Sequence, residues 1–428
     1  VGLRLASSPR RALLAYLLGR ARLRLRGLGC RLRDSGEVGA EQCALIDVCW
    51  SVAIGLGYVD TIRGADFQTR HLILALEAGE PYRLARALAI EAAYSSVGGG
   101  SSKRRTADLL RRAQEVAESL QHPHALGLVG VAKGMAACLE GRYEDALTFT
   151  GEAATILRDR CVGTTWELFN AEMYRLLALT YLGRLRELRD RAMRSRHEAV
   201  GRGDVYALTN LSARILHTVH LVEGNPAIAR QESLSAMQRW SRDGMHLQHY
   251  FGLFSQTEIN LFVGDDAAAL ELVKESRARL ERSLLLRIEH TRLEYLFLRA
   301  RAYLASAQRQ RQRPAARKLL QEVRSDARRL AACSGWAMPL AELLLGGVAA
   351  VTNDREQASR HLARALDGFE RRCMALHAAV AKRRLAEISS GEDGKRLVAE
   401  ADSYFASQGV RDSESMARMM APWSLVEA

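Results

Sequence analysis

A chain of 428 residues exceeds the usual size of one compact core, so several domains or an extended repeat array is expected. Seven prolines, 6% aromatics and abundant Ala, Leu, Arg and Glu favour long helices. Seven cysteines, an odd number without a Cys-x-x-Cys pair, argue against a disulfide framework or a structural zinc site and fit a reducing compartment. The formal charge of +13 is concentrated at one end: residues 1–33 hold nine arginines and no acid. That leaves +4 for the other 395, so the body is not a polybasic nucleic-acid surface.

The first residue is Val1 rather than methionine, so the chain reads as a piece of a longer protein. No run approaches 18 consecutive apolar residues. The short run from Ala12 to Leu18 is followed by arginines rather than by a cleavage site, so a cytoplasmic chain without a membrane span is expected. From Arg10 to Leu28, the leucines at 13, 14, 17, 18, 25 and 28 share one arc of about 140° at 100° per residue, with most arginines opposite. This predicts a basic amphipathic helix that docks its leucines on the first repeat or on a preceding domain. The competing reading places the arginines on an acidic membrane or on nucleic acid. The domain plan is then a connecting helix over 1–33, a linker over 34–40, a repeat array over 41–410, and a capping helix and tail over 411–428.

The array is announced by Leu139 to Leu147 (LEGRYEDAL), where one apolar helix stops at Gly141 and the next starts with Glu144 and Asp145 in its first turn. Gly183, Gly224 and Gly264 repeat this punctuation at spacings of 42, 41 and 40 residues. Such a period marks stacked helical hairpins. First helices are expected near 41–57, 81–95, 124–140, 164–182, 204–222, 245–263, 284–306, 336–351 and 374–389. Their partners are expected near 66–78, 104–120, 142–159, 184–200, 226–242, 265–281, 314–332, 354–372 and 394–407. The predicted fold is all-α, a right-handed superhelical array of about nine hairpins with a period near 42.

Trp166, Phe169, Met173, Leu176, Leu177 and Tyr181 line a first helix at three- and four-residue steps, whereas its partner offers only Leu185, Leu188, Ala192 and Ala199 among arginines. First helices should therefore be buried and second helices lie outside. Two tips break the pattern: a loop between Ala305 and Arg313, and Gly98 to Ser102. Both are expected to be irregular, mobile turns.

Little in this chain suggests chemistry. Gly98 to Lys103 (GGGSSK) lacks the Gly-Lys-Ser/Thr order and the preceding strand of a phosphate loop, and reads as a flexible tip. His217 with His220, and His246 with His249, place two imidazoles each on one helix face. No carboxylate or cysteine pattern supports metal there, and the four histidines with Trp240 and Tyr250 are instead candidates to line a partner groove. Asp60, Arg63, Asp66 and Arg70 alternate in sign in the turn from 58 to 70. Structurally they are a salt-bridged loop; functionally, with Arg20, Arg22, Arg24 and Arg26, they are candidates for docking an adjoining domain.

The bulky aromatic, Leu-Gly and Ala-rich second helix resemble tetratricopeptide repeats, whose usual period is shorter. Asp47 to Glu91 is more specific. Together with PRRALLAYLLGRARLRLRGL, WSRDGMHLQHY at 240–250 and MAPW at 420–423, it resembles the C-terminal region of large bacterial serine/threonine protein kinases built from a kinase domain, an AAA-type ATPase module and a helical repeat tail. The resemblance implies a non-catalytic regulatory and interaction region. Its partner would be a protein or peptide, including its own kinase and ATPase domains, with ATP and Mg belonging to those upstream domains alone. None of the kinase motifs occurs here. The alternative is a repeat scaffold of an ATPase-type transcriptional regulator that contacts nucleic acid through the basic N-terminal segment.

Overall fold

The computed structural model describes residues 3, 5–57, 60–241, 244–333, 335–389 and 391–424. Val1, Arg4, Tyr58, Arg242, Asp243 and the tail from 425 onward, which enter the sequence reading, lie outside them. Among the described residues the regular structure is 21 α-helices and four short 3-10 turns, with no strand. No helix there is long and apolar enough to cross a membrane. The chain divides into two compact units, residues 1–139 with 145–175, and residues 140–144 with 176–428.

The first unit contains α1 (Pro9–Arg26), α2 (Ala40–Gly57), α3 (Thr61–Ala78), α4 (Pro81–Ser96), α5 (Lys103–Leu120), α6 (Pro123–Leu139), most of α7 (Tyr143–Arg160) and the first turns of α8 (Thr165–Leu182). Consecutive helices pair as hairpins. Its core joins Leu72 and Leu76 of α3, Leu84 and Leu88 of α4, Leu109 of α5 and Leu128 of α6. Helix α3 starts earlier than its apolar pattern suggests, because Asp60 caps it by accepting from the Arg63 amide. The alternating charges therefore sit on a cap and a helix rather than in a loop. Nor is α3 an outer helix, since α1 packs against it and it is buried along most of its length.

The tip expected to be mobile at Gly98 to Ser102 is a 3-10 turn over Gly99–Ser102. Ser102 Oγ donates to the Ser95 carbonyl at 2.6 Å, so a hydroxyl bond orders a tip that, like the one at Gly141, carries a left-handed glycine, Gly99 at φ 59°.

The second unit continues with α9 (Leu185–Gly201), α10 (Val205–Arg214), α11 (Leu216–Val222), α12 (Pro226–Arg239), α13 (Leu247–Val263), α14 (Asp266–Arg282), α15 (Glu289–Arg309), α16 (Pro314–Ala331), α17 (Met338–Val351), α18 (Arg355–Glu370), α19 (Ala375–Ala386), α20 (Gly391–Gln408) and α21 (Ser413–Met420). The helix expected to run unbroken over 204–222 is interrupted at Ile215, where φ is −115°. The loop expected between Ala305 and Arg313 is shortened, its first half being helix. Glutamine and arginine propagate α15 through Arg309, and Pro314 then opens α16.

The periodic tips keep the predicted conformation: Gly141, Gly183, Gly224 and Gly264 lie at φ between 71° and 78°. Asn353 takes the same left-handed role at φ 63° between α17 and α18, where no glycine marks the tip. Some tips are also points of close approach. A Cβ on Gly183 would lie 2.5 Å from the Leu376 amide nitrogen and 2.5 Å from the Tyr404 hydroxyl.

Candidate functional site

The inner helices of the second unit enclose charges as well as aromatics. Helix α15 reads LEYLFLRARAYL over 293–304, an apolar stretch interrupted by Glu294, Arg299 and Arg301. Glu294 accepts from the Tyr181 hydroxyl at 2.6 Å and pairs with Arg214. Glu258 of α13 accepts from Arg301 at 2.7 Å and faces His217 Nε2 at 3.0 Å. All six side chains are buried. Burial alone raises both carboxyls. It is the largest single effect, but the neighbours together exceed it, Arg214 with His290 and Tyr181 for Glu294 and Arg301 with His217 for Glu258, and hold each at about 2. Two arginines thus neutralise two glutamates in the interior, as two ion pairs rather than an acid–base couple.

Rings surround these charges. Tyr143 and Tyr181 stack with centroids 4.6 Å apart, Trp336 meets Tyr181 edge-on at 5.4 Å, and His290 stacks on Trp336 at 4.9 Å. His377 lies 5.1 Å from Phe369, and burial together with the charge of Arg301 lowers it to about 3. It is neutral at ordinary pH.

The proposed groove histidines do not form one set. His217 is buried on Glu258, while His220 Nε2 lies 3.1 Å from Glu232. Tyr250 is fully buried. Trp240, His246 and His249 are half-buried and build the start of α13: Trp240 Nε1 donates to His246 Nδ1 at 3.1 Å, and the His246 amide donates to His249 Nδ1 at 3.0 Å. No group of three or more potential metal ligands occurs among the described residues.

The last described segment lies in the stretch read as a capping helix and tail, and the sequence carries no signal for where it packs. Helix α21 and residues 421–424 are held by α13, α15, α17 and α19, and Met416, Ala417, Met419, Met420, Ala421 and Trp423 are all buried. Buried arginines on two of these helices donate to main-chain carbonyls of the segment: Arg301 Nη1 to Met419 at 3.1 Å, and Arg384 Nε to Ala421 at 3.0 Å.

The second surface is α1, and it inverts the expected packing. Ala12 and Leu23 are buried against the first unit and Gly19 lies close to Thr69, so the contact face is made largely of small residues. Arg20 reaches the buried Glu91 at 2.5 Å, Arg22 reaches Glu77 at 2.7 Å, and Arg26 donates to the Leu76 carbonyl at 2.8 Å. Arg24 is exposed. The leucine arc lies opposite: Leu13, Leu14, Leu17, Leu18 and Leu25 are exposed, Leu25 to 90%. Of the other charged candidates, Asp60 pairs with Arg63, and Asp66 with Arg70 at 2.7 Å.

Neither a family model nor a curated protein matches the chain. Among solved structures it is similar to the crystal structure of the P58(IPK) TPR domain, at 10% identity over 85% of this chain and 98% of that one, with a TM-score of 0.20.

Buried charges are the part of the site least legible in the sequence. The available signal was Glu294 and Arg301 inside an otherwise apolar helix, where a charge must either find a partner or destroy the core.

Proposed function

We propose that the chain is the non-catalytic, partner-binding repeat region of a bacterial serine/threonine protein kinase signalling protein, acting in the cytoplasm and coupling a partner to kinase and ATPase domains. The observation that carries the interaction role is α1. Three of its six arginines, Arg20, Arg22 and Arg26, are engaged by Glu91, Glu77 and a backbone carbonyl, Arg10, Arg11 and Arg24 are exposed, and five leucines face outward. A run of exposed leucines on one helix face suits a protein surface and offers nothing to a phosphate backbone. The kinase context rests on the sequence resemblance. ATP and Mg would belong to the kinase and ATPase domains alone.

Co-purification tests the reading. The chain is expressed with the kinase–ATPase segment encoded upstream of Val1 in the gene, and retention is measured for wild type and for L14E/L18E. Retention by wild type and its loss in the variant is the expected result. Equal retention by both, or a reading frame upstream that encodes neither domain, would overturn it. The nucleic-acid alternative predicts the opposite dependence: binding that collapses with salt and ignores the leucines.

A further inference from the structure

We propose that the face of α13, α15, α17 and α19 is a peptide-recognition groove whose resident occupant is the chain's own C-terminal segment, residues 411–424. The partner it fits is a short helix with methionine-like anchors ending in a Pro-aromatic pair. The segment is joined to α20 by a short turn in which Gly409 has φ 76°, and it is gripped on both sides of α21. At the near end the Arg411 amide donates to the Val222 carbonyl at 3.0 Å, and Arg383 reaches Glu414 at 3.1 Å. At the far end Gln308 Nε2 donates to the Ser424 carbonyl at 3.0 Å.

Between these points the recognition has two parts. The first is anchoring. Met416, Met419 and Met420 are buried, and Trp423 is 3% exposed against Leu304 and a bare patch of α17, where a Cβ on Gly347 would come within 2.6 Å of the indole. Glycine at 347 keeps the floor flat for an aromatic ring. The second is polar. Arg301 and Arg384 donate to the carbonyls of Met419 and Ala421, at the C-terminal end of α21 where carbonyls lack helical partners and the dipole favours cations. An amphipathic helix laid in a groove with its terminal carbonyls clamped is a recurring mode of peptide recognition.

The groove also constrains what else can fill it. Arg301 is 1% exposed and divides its donors between Glu258 and the segment. If the segment leaves, one buried guanidinium donor loses its acceptor, which favours a replacement carrying both apolar anchors and carbonyls. The clamp joins carbonyl contacts to side-chain ones, Arg301 to the Met420 sulfur and Arg383 and Arg384 to Glu414, so a partner must bring the apolar anchors as well as the carbonyls.

The test uses the full chain with a protease site inserted between Val410 and Arg411. After cleavage under native conditions, a fluorescent peptide of residues 411–424 is added, and anisotropy is followed with and without unlabelled competitor. Saturable uptake is expected, reversed by unlabelled peptide and not by a peptide carrying Trp423→Ala. In parallel, the uncut W423A chain should bind the labelled peptide at least ~10-fold more tightly than uncut wild type, since losing the indole loosens the resident segment. A nicked chain that stays folded but takes up no label overturns the proposal. So does one that unfolds on cleavage, because the segment is then core. Retention through α1 is read separately, so either result leaves the L14E/L18E outcome independent.

Discussion

Arg214→Met tests whether the interior of the second unit holds Glu294 ionised through its arginine. In the native protein Glu294 pairs with Arg214 and accepts from Tyr181, all three side chains being buried. Burial pushes the carboxyl up. The guanidinium, with smaller contributions from His290 and Tyr181, brings it to about 2 against an ordinary 4.5. At 1.36 kcal/mol per pKa unit this gap is worth about 3 kcal/mol at neutral pH. That agrees with the ~3–5 kcal/mol usually lost when one partner of a buried pair is removed. The folded value lies below the unfolded one, so the contribution is complete above pH 4.5 and disappears as pH falls toward 2. In the variant, burial is opposed only by His290 and Tyr181 and the carboxyl takes up a proton more readily. Urea titrations followed by far-UV circular dichroism should show a loss of about 3 kcal/mol at pH 7 that shrinks at pH 4. A loss below ~1 kcal/mol at pH 7, or one that grows on acidification, would refute the assignment.

Gly183→Ala should lower Tm and cost ~2 kcal/mol or more, since φ is 71° and the new methyl meets the Leu376 backbone at 2.5 Å. An unchanged melting curve would mean that approach does not exist. Glu91→Gln removes the charge that holds both Arg20 and Arg105. Amide exchange in α1 should accelerate, while unchanged protection would show that the leucine-bearing helix is held by other contacts. His377 is near 3 when folded and 6.5 when unfolded, so its share of stability is present above pH 6.5 and lost as pH falls toward 3. His377→Phe should flatten the fall of Tm between pH 6.5 and 4.5. An equally steep slope in the variant counts against a buried neutral imidazole.

Local signals located the helices well because each was written within a few residues. Gly183 ends α8 because left-handed backbone costs glycine little, and Pro226 and Pro314 open α12 and α16 because proline lacks only a donor that the first turn does not use. Where punctuation was chemically weaker, the boundaries moved. Helix α15 ran on through Arg309 since nothing in Gln-Arg stops a helix, and the Gly98–Ser102 tip became an ordered turn through the Ser102 hydroxyl.

The orientation of α1 shows the limit of a periodic pattern. The arc of leucines and the opposing arginines were plain in the sequence, yet the arc does not say which face is covered. Tertiary structure settled that, because Glu91 is buried and needs cations, and Ala12 and Gly19 allow close approach to α3. The histidine pairs make the same point. Spacing placed His217 beside His220 on one face, but Glu258 on α13 and Glu232 on α12 took one each.

By itself, then, the sequence determined an all-helical chain of hairpins, their period and most of their ends, since capping, glycine tips and apolar steps act over a few residues. Only the tertiary structure decided which charges are interior, which face of α1 stays open, and that residues 411–424 occupy the inner face. Those outcomes depend on contacts between residues more than 30 apart, and a local pattern can flag a charge in an apolar helix without naming its partner.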